Sequence, residues 1–327
     1  MGSTIRDVAR AAGVSASTVS RALSEGGSVS GETRSRVIAA AERLDYRPNP
    51  TARGLITGRT GNLGLIVPDL LNPFFADVAK GLQSRARATG LSVFVADADE
   101  DPRLELEAVQ SLTRQVDGLV LCSPRSDVAE LVRHAATPVV LIHRRHPGLS
   151  SVTADVSGGT VKAVQNLRAL GHTTIAYVDG PAASWVGGQR REGLREAVQA
   201  TGVEVIHLGN FSGTFDGGFA AADLMLASPA TAVLAYNDIV ACGLLNRLAA
   251  RGVRVPDDVS VVGYDDVTIA MMTYPPLTTV HLPRQSAARA AVDLLVAAIK
   301  DPDVAPREDV LATHLVVRAS TGVPPRR

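Results

Sequence analysis

Aromatic residues make up only 4% of this 327-residue chain, with a single tryptophan, and cysteine occurs twice. Two thiols, Cys122 and Cys242, each in or near an apolar stretch, exclude a disulfide framework and read as small buried hydrophobes in a reducing compartment. His143 and His146 lie close together in sequence but have no third ligand nearby, so a metal centre is not expected. No apolar run is long enough to span a bilayer, and the amino terminus is polar and helical, unlike an export signal. A cytoplasmic protein is expected. Glycine-rich phosphate loops and nucleophile elbows are also missing, so neither a cofactor nor an enzyme is expected. Low-complexity tracts and internal repeats are absent as well.

Basic and acidic residues balance at 33 each. The balance conceals an asymmetry. Residues 1–60 carry nine arginines against five acids, which leaves 24 basic against 28 acidic residues in the remainder. Only the first stretch suits a polyanion. It begins with two short amphipathic helices around Gly13. Thr4 can cap the first, with Asp7 at the capping-box spacing, and Ile5, Val8, Ala9 and Ala12 share its apolar face. Ser15 is placed to cap the second, whose buried stripe is Val19, Ala22 and Leu23. Its other face carries Ala16, Ser17, Thr18, Ser20 and Arg21, which are small or hydrogen-bonding groups with one long basic arm. A helix read by the major groove needs such a face, because its side chains must come close to the base edges. A third helix follows with Val37, Ala40, Ala41 and Leu44 as its stripe, and Ser30 and Thr33 near its start can hydrogen-bond phosphate. A plain three-helix packing module is the alternative, and the local charge weighs against it.

The run TIRDVARAAGVSASTVSRAL, then VS-x-x-TR, then YRPNPTARGL, resembles the headpiece of the lactose-repressor (LacI/GalR) family, and the resemblance extends from Thr4 to about Thr321. It implies that the second helix enters the major groove, with Ala16, Ser17 and Arg21 at base-reading positions and Thr4, Ser20, Ser30, Tyr46 and Asn49 at backbone-contacting ones. The short Ala16 and Ser17 leave Arg21 to carry most of the direct readout, with guanine the expected target. The resemblance also implies a hinge helix within residues 48–60 that forms on DNA and pairs with its twin. Leu55 then wedges into the minor groove and Ala52 lies on the helix–helix face. A flexible tether is the alternative there, given the proline and glycine content.

Residues 61–327 alternate short apolar runs with helical stretches, the rhythm of a parallel α/β sheet. The expected organisation is a helix-turn-helix headpiece (1–47), a linker (48–60) and a periplasmic-binding-protein-like core of two doubly wound subdomains. One subdomain takes about 61–155 and 281–310, the other about 156–280 and 311–325. Ligands of such sheets bind at the carboxyl ends of strands. That rule and the family pattern together select Asn72, Phe74, Phe75, Ser123, His143, Trp185, Arg190, Phe211, Asn237 and Asp265 as effector-binding candidates. Aspartate, asparagine and arginine suit hydroxyl groups, and Phe75, Trp185 and Phe211 suit apolar sugar faces. Ordinary core packing is the alternative for each aromatic, and a structural ion pair for Arg190 and Asp265. His143 departs from the family's usual Asp or Asn. It is expected to alter specificity or to bring pH sensitivity, and the alternative is a rim histidine facing water.

These readings predict a homodimeric repressor of carbohydrate-utilisation genes. It binds pseudo-palindromic double-stranded operator DNA in the nucleoid, and a mono- or oligosaccharide changes its grip. The alternative is a regulator activated by a non-sugar co-repressor. A transport protein of the same core fold would carry an export signal and no headpiece, and an enzyme would carry an acid–base constellation beyond the cleft.

Overall fold

The computed structural model describes residues 3–23, 28–46 and 59–325. The chain divides into two compact units, Met1–Gly61 and Asn62–Arg327. In the first unit, α1 (Ile5–Ala12), α2 (Ala16–Leu23) and α3 (Gly31–Arg43) enclose a small core of Val8, Ala9, Ala12, Val19, Ala22, Val37, Ala40 and Ala41. The Thr4 hydroxyl accepts from the Asp7 amide and the Asp7 carboxylate accepts from the Thr4 amide, a complete capping box. Gly13 ends α1 at φ +64°, a left-handed turn that a side chain would strain. The expected hinge helix, with Asn49, Ala52 and Leu55, lies outside the described residues.

The second unit contains two six-stranded sheets. Strands β1 (Asn62–Val67), β2 (Ser92–Asp97), β3 (Gly118–Cys122), β4 (Val139–Ile142), β5 (Ser150–Ala154) and β11 (Glu308–Leu311) form one, all parallel, in the order β11-β5-β4-β3-β1-β2. Strands β6 (Thr174–Asp179), β7 (Glu204–Asn210), β8 (Ala232–Leu234), β9 (Ser260–Asp265), β10 (Thr278–His281) and β12 (His314–Val316) form the other, in the order β12-β10-β9-β8-β6-β7. Only β12 runs antiparallel. Strands β3 and β4, inside the first sheet, are apolar because both faces are covered. Leu65 of β1 stands in register with Val95 on one side and Val120 on the other and is fully buried.

Helices α4 (Pro73–Ala88), α5 (Pro102–Leu112) and α6 (Val128–His134) connect the strands of the first sheet. Helices α7 (Val156–Leu170), α8 (Trp185–Thr201), α9 (Phe215–Leu226), α10 (Asp238–Ala250) and the short α11 (Ile269–Met272) belong with the second. Helix α12 (Arg284–Lys300) returns to the first sheet and packs against α4, β3, β4 and β5. The backbone therefore passes between the sheets three times: after β5, after β10, and between β11 and β12. Helices α9 and α10 pack with backbones touching. A Cβ on Gly218 would collide with the Val240 carbonyl, and one on Gly243 with the Phe215 carbonyl.

Candidate functional site

On the first unit, the exposed face of α2 presents Ser17 and Arg21. Arg21 is tethered lightly, its Nε donating to the Ser17 carbonyl at 3.3 Å, so the guanidinium remains at the surface. Ala16 is half-buried against the three-helix core, and Thr18 and Ser20 are half-buried on the same helix. Ser15 accepts from the Thr18 amide at 3.1 Å and caps the helix. Two expected phosphate contacts have structural duties as well. The Ser30 hydroxyl caps α3 and donates to Thr33 Oγ1 at 2.9 Å, and the Thr4 hydroxyl donates to Asp7 at 2.7 Å. Tyr46 packs its ring on the same core, and burial pushes its hydroxyl pKa up. Arg6, Arg10, Arg36 and Arg43 are exposed around these helices.

Within the second unit, the carboxyl ends of both sheets face a cavity of about 700 Å³. Nine of the ten sequence-selected effector residues line it: Asn72, Phe74, Phe75, Ser123, His143, Arg190, Phe211, Asn237 and Asp265. Trp185 does not. It is half-buried at the first position of α8 and packs against the core, while Val186 and Arg190, four residues apart on one helical face, reach the cavity. Neighbouring helix positions point about 100° apart, so the tryptophan is turned away.

Arg190 is the centre of the deep wall. Its guanidinium carbon lies 4.1 Å from the Tyr264 ring centre and 4.5 Å from that of Tyr236, and its Nη2 lies 3.5 Å from Asp265 Oδ1. Its Nε and Nη1 are buried and have no protein partner. Burial pushes the Asp265 carboxyl up to about 6, against the pull of Arg190 and Arg284. Asp238, fully buried behind it, is pushed well above the usual carboxylate range by burial and by Asp265, and accepts from Thr279 Oγ1 at 2.6 Å and the Val267 amide at 2.9 Å.

His143 follows β4 at φ +54°, with its ring 5.3 Å from Phe74 and only 2% of its surface exposed. Neither ring nitrogen has a protein partner. Burial, helped by the charge of Arg190, pushes its pKa down to about 4. The imidazole is therefore neutral across ordinary pH. This corrects both the water-facing rim position and the pH sensitivity expected of it. Ser123 and Asp265 also sit at strand ends with positive φ, as do Asp99 and Glu100 beyond β2. Five of the seven non-glycine residues with positive φ among the described residues thus line the cavity. Backbone strain concentrates where a ligand would be held.

Sequence reasoning missed Asp69, Asp99, Glu100, Arg125 and Tyr236. Applying the strand-end rule to β2, and two residues further past β3, would have found Asp99, Glu100 and Arg125. Arg125 is buried and bound to Glu100 at 2.5 and 2.7 Å and to the Ser123 carbonyl at 2.8 Å. Outside the cavity lining, Arg284 donates through Nε to Asp77 of α4 at 3.1 Å and through its two other nitrogens to the Asp265 and Asp266 carbonyls. Asn72 and Asn237 serve partly as helix caps, accepting from the Phe74 and Val240 amides at 3.0 and 2.7 Å. Among the described residues, no group of three or more His, Cys, Asp or Glu side chains is placed to hold a metal ion, and no helix is long and apolar enough to cross a membrane.

Residues 4–49 match the model for bacterial regulatory proteins of the lacI family, and residues 164–321 match that of the periplasmic binding protein-like domain. The chain is 36% identical over 306 residues to the ribose operon repressor of Bacillus subtilis (strain 168), covering 92% of this chain and 93% of that one. Among solved structures, it is similar to the Lac repressor dimer bound to operator and the anti-inducer ONPF, with a TM-score of 0.88, 29% identity and coverage of 98% and 100%. It is likewise similar to a transcriptional regulator CelR–cellobiose complex, with a TM-score of 0.72, 34% identity and coverage of 97% and 99%.

Proposed function

The chain belongs to the lacI family of bacterial regulatory proteins, and from that premise we propose that it is a homodimeric repressor of carbohydrate-utilisation genes, released from its operator by a sugar. It works in the cytoplasm, on the nucleoid. The family comprises DNA-binding transcriptional regulators, not enzymes. Two copies of α2 read the two halves of a pseudo-palindrome, Arg21 addressing a base edge and Thr4, Ser30 and Tyr46 the backbone. The observation that carries the sugar reading is Arg190. Stacked between two tyrosines and with two buried N–H groups left without a protein partner, it lines the same cavity as the strained Asp265 and the neutral His143. Donors and acceptors fixed at that density suit neighbouring hydroxyls, and Phe74, Phe75 and Phe211 supply apolar surface for a sugar face. Exposed Met271, Met272 and Tyr274 beyond β9, and Phe94 on the edge strand β2, support self-association.

A sugar can shift DNA affinity only by binding two states of the core unequally. Fluorescence anisotropy of a labelled promoter fragment at low salt, with and without sugar, tests this. Binding that weakens when sugar is added is expected, and binding that strengthens identifies a co-repressor instead. Failure to retain any fragment of the cognate promoter region overturns the reading.

A further inference from the structure

The cavity carries its own statement about ligand charge. Its ionisable lining comprises the acids Asp69, Asp99, Glu100 and Asp265 and the bases Arg125 and Arg190. Arg125 is neutralised by Glu100 through two hydrogen bonds, and Arg190 faces Asp265 at 3.5 Å. Asp69, half-buried, and Asp99, exposed at the rim, are left over. Asp97 stands beside them, and burial together with the charges of Asp97, Glu100 and Asp99 pushes the Asp69 carboxyl pKa up. The excess charge on this wall is negative.

A doubly wound fold normally offers anions another foothold, the helix N-termini that face the strand ends. Five of them meet this cavity, at Asn72, Pro102, Ser184, Thr214 and Asn237. Each already gives one of its amides to a side chain of its own: Asn72 takes the Phe74 amide, Asp101 that of Arg103, Ser184 that of Gly187, Thr214 that of Gly217 and Asn237 that of Val240. A phosphate or carboxylate entering here would compete with these caps and with the Glu100–Arg125 pair, beside two uncompensated carboxylates. The groups still unsatisfied are of another kind. They are Arg190 Nε and Nη1, and the two His143 nitrogens, one a donor and one an acceptor, all buried.

We infer that the cavity selects an uncharged polyhydroxylated effector and rejects the phosphorylated or carboxylated forms of the same compound, with Arg190 and His143 reading hydroxyls and Asp69 and Asp99 setting the charge filter. This rests on the sugar reading above and makes it narrower. An apolar pocket does not discriminate charge, whereas like charges brought together at a binding site are strongly disfavoured.

The experiment is a thermal-shift and calorimetry series on the full-length protein. It uses matched ligands: D-ribose with ribose 5-phosphate, D-glucose with glucose 6-phosphate and with glucuronate, and cellobiose. At least one neutral sugar is expected to raise the melting temperature, and its anionic partner to bind on the order of a hundredfold more weakly. An anionic member that binds as well as or better than its neutral partner overturns the charge filter while leaving the sugar reading intact. Silence from every member sinks the sugar reading and this inference with it. The cause is tested by Asp69→Asn and Asp99→Asn, singly and together. These changes keep the side-chain shape and the Asp69 bond to the Leu71 amide. They are expected to narrow the gap in affinity between the phosphate ester and the neutral sugar by roughly tenfold. Unchanged discrimination in the double variant overturns the assignment to these two carboxylates.

Discussion

Arg190 rests squarely on Tyr264 but only reaches the edge of its acidic partner: the guanidinium carbon is 4.1 Å from the ring centre, well inside cation–π range, whereas the nearest Asp265 oxygen is 3.5 Å from Nη2, the outer limit of a hydrogen bond. The arginine is positioned by flat aromatic surfaces, so its hydrogen-bonding edge stays available to a ligand. Asp265 is then free to act on the ligand instead of serving as the arginine's anchor. Asp265→Ala is expected to leave operator affinity within about twofold, because the headpiece contacts are untouched. It should raise the sugar concentration needed for release at least about tenfold, as expected from removing a charge-assisted hydrogen bond. Anisotropy titrations measure both quantities. Loss of operator binding would give Asp265 a structural role.

The buried carboxyl also makes a prediction in pH. Its folded value of about 6 lies above the ordinary 3.8. The folded chain therefore keeps a proton that the unfolded chain has released between those values, and stability falls as pH rises through the window. Above pH 6 the full cost of the buried charge is present. Asp265→Asn is expected to melt at least as high as the parent at pH 7.5 and to lose that relative advantage at pH 4. A deficit at pH 7.5 that disappears at pH 4 would show that ionised Asp265 stabilises the fold.

His143 works in the opposite direction. Its folded value of about 4 lies below the ordinary 6.5, so its contribution is complete above pH 6.5 and is lost as pH falls towards 4. His143→Asn, which tolerates the positive φ, is expected to lessen the fall in melting temperature across that window. Sugar affinity of the parent should be flat from pH 6.5 to 8 as far as this group is concerned. A histidine-dependent change in affinity there would contradict the neutral imidazole.

Arg21→Ala is expected to cost about 1–3 kcal/mol at one base pair of each half-site and to relax selection there. Affinity measured against a set of single-base operator variants separates the possibilities. An equal loss on every sequence, with a shallower salt dependence, would identify a phosphate contact.

Between α9 and α10 the test is one of space. Gly218→Ala pushes a methyl group into the Val240 carbonyl and is expected to destabilise the protein by about 1–3 kcal/mol as the helices separate. Urea denaturation measures it. A Gly31→Ala control, at a position with no neighbour within 4 Å of the added carbon, should cost far less.

The parts of this architecture that sequence could disclose are those in which local pattern and burial agree. Leu63–Val67 and Val139–Ile142 are continuous apolar runs because both faces of a central strand are covered, and they stood out as strands. Glu204–Asn210, Glu308–Leu311 and His314–Val316 did not. They are edge strands whose partly exposed, polar residues carry no such signature. In the cavity, Asn72, Arg190 and Asp265 were legible from their places after strands and within a familiar pattern. Trp185 was misplaced because its identity suggested sugar stacking while its helical phase turned it into the core. Glu100 and Arg125 were missed because the strand-end rule was not carried past β2 or far enough past β3, and their pairing, 25 residues apart in sequence, is made only by the fold. The state of His143 depended on Phe74 and Arg190 converging on it from other elements.

The guanidinium of Arg284 fastens Asp77 to the carbonyl groups of Asp265 and Asp266. It works as a rivet through two leaves. Through it the turn that ends β9 is tied to α4, the helix whose first turn presents Phe74 and Phe75 to the cavity. Opening the crevice therefore means either shearing this one side chain or carrying both leaves along together, and a guest that tightens the rivet stiffens everything hung from it.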